Sequence, residues 1–285
     1  MNLQPGNHQE DYPQREVEAA RRVMTELWQV LGAYRDAMVL IGGWVPDLLL
    51  PTAIPPHTGS LDVDLLLDPG PLRDEDRYAD LVVLLKGRGY EETDKPFKLA
   101  KSVKVDEGDP IRVEVDFLLP KNPKTKRGKA LPEFRAIEAD GARFALGHKQ
   151  PLSFHGRMPD GRQNTVTLQV ASLAAFIVMK AYALDGRDKA KDAYDLYFCL
   201  KNAQGGPKGI AAAFGADRQH PEVLRAMEIL ATKFSSPDGY GPGSVVLFMN
   251  PEDPDEQRFL ARDAHALMKA FLEALQGQGP HDHRS

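Results

Sequence analysis

Cysteine is nearly absent: Cys199 is the single one in 285 residues. That excludes an internal disulfide and any zinc cage built from cysteines, and it fits a reducing compartment. Its neighbours Leu196, Tyr197, Phe198 and Leu200 mark it as core packing rather than a nucleophile. No run approaches the roughly 20 apolar residues that a membrane span requires. The N-terminal stretch through Asn7, His8, Gln9, Glu10 and Asp11 lacks the basic start and apolar segment of a secretory signal, so the chain reads as cytoplasmic. A positive excess is also missing, since the formal net charge is -5 and the pI is near 5.9. Affinity for nucleic acid, if present, must therefore come from a local patch. Internal repeats and long low-complexity tracts are absent as well.

What is present is enough apolar residue, 42% of the chain, to bury a sizeable core. Val17, Ala20, Val23, Met24, Leu27, Val30 and Leu31 recur at helical spacing. Residues 37–41 form a short apolar run ending at Gly42-Gly43. Trp44 to Leu50 then opens a helix that Pro51, Pro55 and Pro56 stop, which reads as strand, glycine turn, helix. Two segments alternate apolar and acidic residues with the period of a half-buried strand: Leu61 to Leu67, and Ile111 to Leu118. Helix 78–85 and a Lys-rich strand 97–105 lie between them, and together these elements predict a mixed sheet with helices against it. Beyond about residue 165 one more strand, 165–170, leads into helices at 173–184, 188–200, 221–233 and 255–275. Loops at Gly205-Gly206-Pro207 and 237–243 separate the later ones. The expected division is 1–164 and 165–285, an α+β domain followed by a mostly helical one.

Side chains two apart on a strand share a face, so Asp62 and Asp64 project side by side. If the 111–118 strand lies alongside, Asp116 joins them. Three convergent carboxylates repel unless a cation neutralises them, and magnesium, a hard ion that prefers oxygen, suits such a set. Two ions held this way are the arrangement of nucleotidyl transfer, one beside the attacking hydroxyl and one on the triphosphate. Manganese would serve in the same place. The turn at Gly42 and Gly43 lets backbone N–H groups approach a phosphate, and Ser60 is placed to donate to it. Taken alone, an Asp-x-Asp is more often a solvated strand face and a Gly-Gly merely a turn. Trp44 reads as a core anchor or a base-stacking ring, and His57 as a loop histidine with no assigned role. His281 and His283 read as a tail.

Ile41-Gly42-Gly43-Trp44, then Gly59-Ser60-Leu61-Asp62-Val63-Asp64, then an acidic residue on a later strand, resembles the polymerase-β-like nucleotidyltransferase superfamily. Lys180 to Leu184, Arg187 and Lys191-Asp192-Ala193-Tyr194-Asp195-Leu196 further resemble the AbiEii/AbiGii nucleotidyltransferase toxin family. The resemblance implies the polymerase-β-like mixed sheet with flanking helices, followed by a mostly helical region. It implies Asp62 and Asp64 as metal ligands, Asp116 as the third carboxylate that helps activate the acceptor hydroxyl, and Gly43 with Ser60 as the phosphate cradle. Lys180 would meet the triphosphate, Asp192 would orient Lys180 or the nucleotide, and Arg187 would join the nucleotide site. Lys180 also follows Phe176, Ile177, Val178 and Met179, where an unpaired ammonium is costly to bury and needs an anionic partner. The bland alternative has Lys180 snorkelling and Asp192 and Asp195 pairing with Lys189 and Lys191 on a helix surface. One departure stands out: relatives often carry an arginine where this chain has Thr58.

Lys121, Lys124, Lys126, Arg127 and Lys129 fall within nine residues free of acid, directly after the strand that carries Asp116. Such a loop is either solvated or steers an RNA backbone toward the metals. The resemblance implies NTP as donor, RNA (including tRNA ends) or protein as acceptor, and an antitoxin as counterpart. Two other readings keep the fold: a transferase acting on a small molecule such as an aminoglycoside, and a non-catalytic binding module.

Overall fold

The computed structural model describes residues 6–69, 75–95, 98–121 and 137–277, with no side-chain description for 75–79. The elements in chain order are α1 (Gln14–Val30), β1 (Met38–Ile41), α2 (Trp44–Leu49), β2 (Asp62–Leu67), α3 (Glu75–Lys86), β3 (Glu91–Glu92), β4 (Lys98–Val103), β5 (Ile111–Pro120), β6 (Ile137–Ala139), α4 (Ala142–Gly147), β7 (Lys149–Arg157) and β8 (Gln163–Ala171). The helices α5 (Leu173–Gly186), α6 (Ala190–Asn202), α7 (Gly206–Ala213), α8 (Pro221–Lys233), α9 (Tyr240–Met249) and α10 (Pro254–Gly277) follow.

The described chain groups into two compact units, one of residues 12–45 and 59–172, the other of 6–11, 46–58 and 173–277. In the structure β8 pairs with β1 and β7, so residues through 172 go with the sheet, while the Pro-rich stretch 46–58 goes with the helices.

In the sheet unit the strands run in the order β3-β4-β5-β2-β1-β8-β7, with β6 added to β5. Pairing is mixed: β1 with β2, β4 with β5 and β7 with β8 are antiparallel, whereas β2 with β5 and β1 with β8 are parallel. Helix α1 packs across strands β2, β4, β5, β7 and β8. It buries Val17, Ala20, Val23, Met24 and Leu27, the stripe expected from its spacing. Alternation along β2 and β5 sends Val63, Leu65, Val113, Val115 and Phe117 into the core, each fully buried. Asp62, Asp64, Glu114 and Asp116 are thereby left on the other face of the sheet.

In the helical unit α5 packs on α6 and α8, and α10 on α6, α7 and α9. Helix α5 is apolar around most of its circumference, as a helix enclosed by others should be. Two helices begin in segments read from sequence as loops, α7 at Gly206-Pro207 and α9 at Tyr240-Gly241-Pro242. The reason is that proline is tolerated in the first turn, where its missing N–H has no intrahelical partner to lose. Strand β7, half exposed along its length, carried no alternation strong enough to be read. Among the described residues no helix is long and apolar enough to cross a membrane.

Candidate active site

In the parallel ladder between β2 and β5, Asp64 stands opposite Asp116 and Asp62 opposite Glu114. One carboxylate oxygen from each of Asp62, Asp64 and Asp116 lies within 4.8 Å of the others. Local contacts fix this arrangement. Ser60 Oγ donates to Asp62 Oδ1 at 2.6 Å, and the fully buried Trp44 indole donates to the Asp62 carbonyl at 2.7 Å. Trp44 is thus the core anchor of the two roles weighed for it, and it holds the backbone of the Asp-x-Asp strand. Ile41 is the register partner of Asp64, which brings the turn after β1 against that carboxylate. Gly42 has φ +74, and a Cβ there would stand 2.0 Å from Asp64 Oδ2, so only glycine fits without displacing the aspartate. Gly43, next to it, is buried at the start of α2.

Lys98, which no sequence signal separated from its lysine neighbours, completes the cluster. It is the register partner of Asp116 on β4. Its ammonium is hydrogen-bonded to Glu114 and stands 3.1 Å from Asp116 Oδ1, a buried oxygen to which it is not aligned for a hydrogen bond. Burial works against the charge of Lys98, yet Glu114 and Asp116 raise its pKa. Burial also raises the pKa of Asp116, opposed by Lys98 and reinforced by Asp62 and Glu114.

These residues fit a divalent cation. All donors are carboxylate oxygens, half-buried and convergent, and Lys98 is one ammonium against the four carboxylates Asp62, Asp64, Glu114 and Asp116. Asp62, Asp64 and Asp116 are the residues that would hold magnesium or manganese.

The helical unit carries a second charged cluster, built on α5 and α6. Lys180 Nζ lies 2.6 Å from Asp192 Oδ1 and 2.7 Å from Asp195 Oδ2. Arg187 grips Asp192 with both prongs of its fork, Nε to Oδ2 at 2.7 Å and Nη2 to Oδ1 at 2.9 Å. Lys191 Nζ donates to Asp195 Oδ1 at 2.7 Å, and His57 Nε2 meets the same oxygen at 2.9 Å. Asp192 and Asp195 are therefore buried members of a network and not helix-surface acids. Both have side chains with no exposed area, whereas the Arg187 side chain is 54% exposed. Burial disfavours the charge on Lys180, but Asp192 and Asp195 raise its pKa. Burial likewise opposes ionisation of Asp195, which Lys180, Lys191 and the His57 hydrogen bond nonetheless hold well below the usual carboxylate range. Lys180, Arg187 and Lys191 all meet the carboxylates of Asp192 and Asp195, and the network opens to solvent at Arg187.

Of the basic residues after β5, Lys121 pairs with Asp140 at 3.1 Å on the surface. Lys124, Lys126, Arg127 and Lys129 lie outside the described residues, as do His281 and His283.

A mixed sheet that brings three carboxylates together beside a glycine turn, followed by helices, defines a nucleotidyltransferase. The family model of the nucleotidyl transferase AbiEii toxin, type IV toxin–antitoxin system, matches residues 30–283, and the chain belongs to that family. Among solved structures it resembles an antigenic nucleotidyltransferase-like protein from Paracoccidioides brasiliensis, at 15% identity over 83% of this chain and 94% of that one, TM-score 0.45. It also resembles JHP933 from Helicobacter pylori, at 15% identity over 90% and 94%, TM-score 0.42. A third is MenT4, a nucleotidyltransferase toxin from Mycobacterium tuberculosis H37Rv, at 16% identity over 92% and 89%, TM-score 0.42. No curated protein matches.

Proposed function

We propose that this nucleotidyltransferase transfers a nucleoside monophosphate from an NTP to a hydroxyl on RNA, tRNA included, or on protein, as a toxin countered by an antitoxin. The observation that carries the reading is the convergence of Asp62, Asp64 and Asp116 across a parallel strand pair. In the reaction the acceptor oxygen bonds to the α-phosphorus as the bond to the leaving pyrophosphate breaks. Two bound magnesium ions would supply Lewis-acid polarisation of the phosphates and ease deprotonation of the hydroxyl.

The protein's own groups orient the reactants. Asp116, with Lys98 beside it, takes the hydroxyl proton or directs it to solvent. The glycines at 42 and 43 and the Ser60 hydroxyl cradle phosphate oxygens. Lys180 and Arg187 bind the triphosphate from the cationic side of their network, with Asp192 holding both. The run from Lys121 to Lys129 contacts the phosphate backbone of an RNA acceptor.

The test is incubation of the purified protein with each of the four labelled NTPs, magnesium and an extract of RNA and protein. The Asp62→Ala Asp64→Ala variant is run alongside. Label in a discrete RNA or protein band with the wild type alone is the expected result and names the acceptor. Label retained by the folded variant removes the metal site. No label with the wild type shifts the reading to a small-molecule acceptor, tested next with the same NTPs.

A further inference from the structure

His57 sits in the Pro-rich segment between α2 and β2, a loop histidine by sequence, yet its side chain has no exposed area. Its ring stacks on Tyr194 at 5.6 Å and meets Phe198 edge-on at 4.8 Å. Burial, and then Lys191 nearby, lower its pKa to about 4. The imidazole is therefore neutral at physiological pH, while its partner Asp195 is ionised and can only accept. The proton must lie on Nε2, which donates to Asp195 Oδ1 at 2.9 Å.

Two donors, His57 and Lys191, converge on Oδ1 of Asp195, and that sets the plane of the carboxylate. The other oxygen, Oδ2, is thereby turned to Lys180 at 2.7 Å, an ion-pair contact not aligned for a hydrogen bond, while the ammonium donates to Asp192 Oδ1. Lys180 reaches this point on a flexible four-carbon stem, so its ammonium goes where its acceptor Asp192 and its ion-pair partner Asp195 hold it. Of the groups around Asp195, Lys191 comes from the same helix by i, i+4 spacing, and a flexible ammonium constrains direction poorly. The histidine ring, packed against two aromatic side chains of α6, is the rigid donor.

We propose that His57 is a positioning residue for nucleotide binding, fixing Asp195 so that the Lys180 ammonium is held ready for a triphosphate. This rests on the reading of Lys180 as a nucleotide-binding residue. Nothing in the proposal requires His57 to touch the nucleotide or to change its charge.

The experiment measures equilibrium binding of ATP, GTP, CTP and UTP, each with magnesium, to the full chain and to three variants. His57→Phe keeps a ring against Tyr194 and Phe198 and removes the donor; the expected effect is about tenfold weaker binding of whichever NTP the wild type prefers. His57→Gln places an amide N–H near the Nε2 position and is expected to recover most of that loss. Lys180→Met reports on the underlying reading. If Lys180→Met loses binding while folded His57→Phe binds as the wild type does, the inference on His57 falls and the reading of Lys180 stands. If Lys180→Met binds as the wild type does, that reading falls and takes the inference with it. Equal losses in His57→Gln and His57→Phe assign the effect to ring packing and overturn the inference. Should His57→Phe fail to fold, His57→Asn replaces it, because its shorter amide stops short of Asp195; wild-type binding by that variant is likewise an overturning result.

Discussion

Asp64 on β2 and Asp116 on β5 are direct partners in a parallel ladder, so two carboxylates face one another on the same side of the sheet. Like charges opposite each other across strands destabilise a sheet. Without a divalent cation this pair should weaken the fold, and with one it should strengthen it. Magnesium is expected to raise the unfolding midpoint, by about 2.7 kcal/mol of stability at a hundredfold excess over its dissociation constant. Asp64→Asn should raise the metal-free midpoint and flatten the response to magnesium. Thermal unfolding with and without the ion reads both effects; a variant that still responds as the wild type does would remove Asp64 from the ligand set.

Gly42→Ala tests the glycine turn through its geometry. The added methyl would stand 2.0 Å from Asp64 Oδ2 on a backbone at φ +74, so the aspartate must swing away and the turn is strained. A loss of roughly 1–3 kcal/mol of stability is expected from the strain. The magnesium-induced stabilisation should largely disappear with it, because the displaced carboxylate no longer meets its partners. Full retention of that stabilisation would show that Asp64 need not lie against the turn to bind the ion.

The three clustered carboxylates were legible because their signal is local. Period-two alternation puts Asp62 with Asp64 and leaves Asp116 on a polar face, and both strands appear in the structure with those faces. Their apposition required the further fact that β2 and β5 are neighbours, a long-range pairing that no window of sequence contains. Lys98 was hidden for the same reason. Lys95, Lys98, Lys101 and Lys104 are alike in composition, and register alone sets Lys98 opposite Asp116. His57 was missed because its surroundings are prolines and polar residues, while its burial comes from Tyr194 and Phe198, well over a hundred positions away in the chain. The helices α7 and α9 were obscured by glycine and proline, which mark loops and first helical turns alike.

Lys98→Met removes the one ammonium from a group of four carboxylates, so the formal charge of the five residues goes from three negative to four negative. The metal-free protein should lose about 2 kcal/mol of stability, since Asp116 and Glu114 are left to repel. Divalent affinity should move the other way and rise, because the competing charge of Lys98 is gone. Titration of manganese by calorimetry, beside urea unfolding with and without magnesium, separates the two effects. Weaker manganese binding in Lys98→Met would mean that Lys98 orders the site more than it opposes the ion.

The buried histidine makes a prediction about acid. Unfolded, His57 titrates near 6.5; in the fold its pKa is lowered to about 4, by burial first and Lys191 second. A folded state that resists protonation owes part of its stability to the neutral ring. That part is whole above pH 6.5 and is lost as the pH falls toward 4, because the unfolded chain takes up a proton that the folded chain refuses. Over this window the loss is about 3 kcal/mol. The groups facing the ring sharpen the test. Asp192 and Asp195 have depressed pKa values, so their own contributions fade only below the ordinary aspartate range, beneath the window. Lys180, its pKa raised by Asp192 and Asp195 against its burial, stays charged across it, Lys191 has its pKa lowered by burial first, and Tyr194, its pKa raised by burial first and Asp195 second, stays neutral. His57→Gln keeps a donor and has nothing to titrate. Urea unfolding at a series of pH values from 7 down to 4 should show the wild type losing stability more steeply than His57→Gln, by about one proton's worth of slope. Parallel curves would mean that the wild-type ring charges within the fold, in which case Asp195 and the imidazolium form an ion pair and the neutral-donor assignment is wrong.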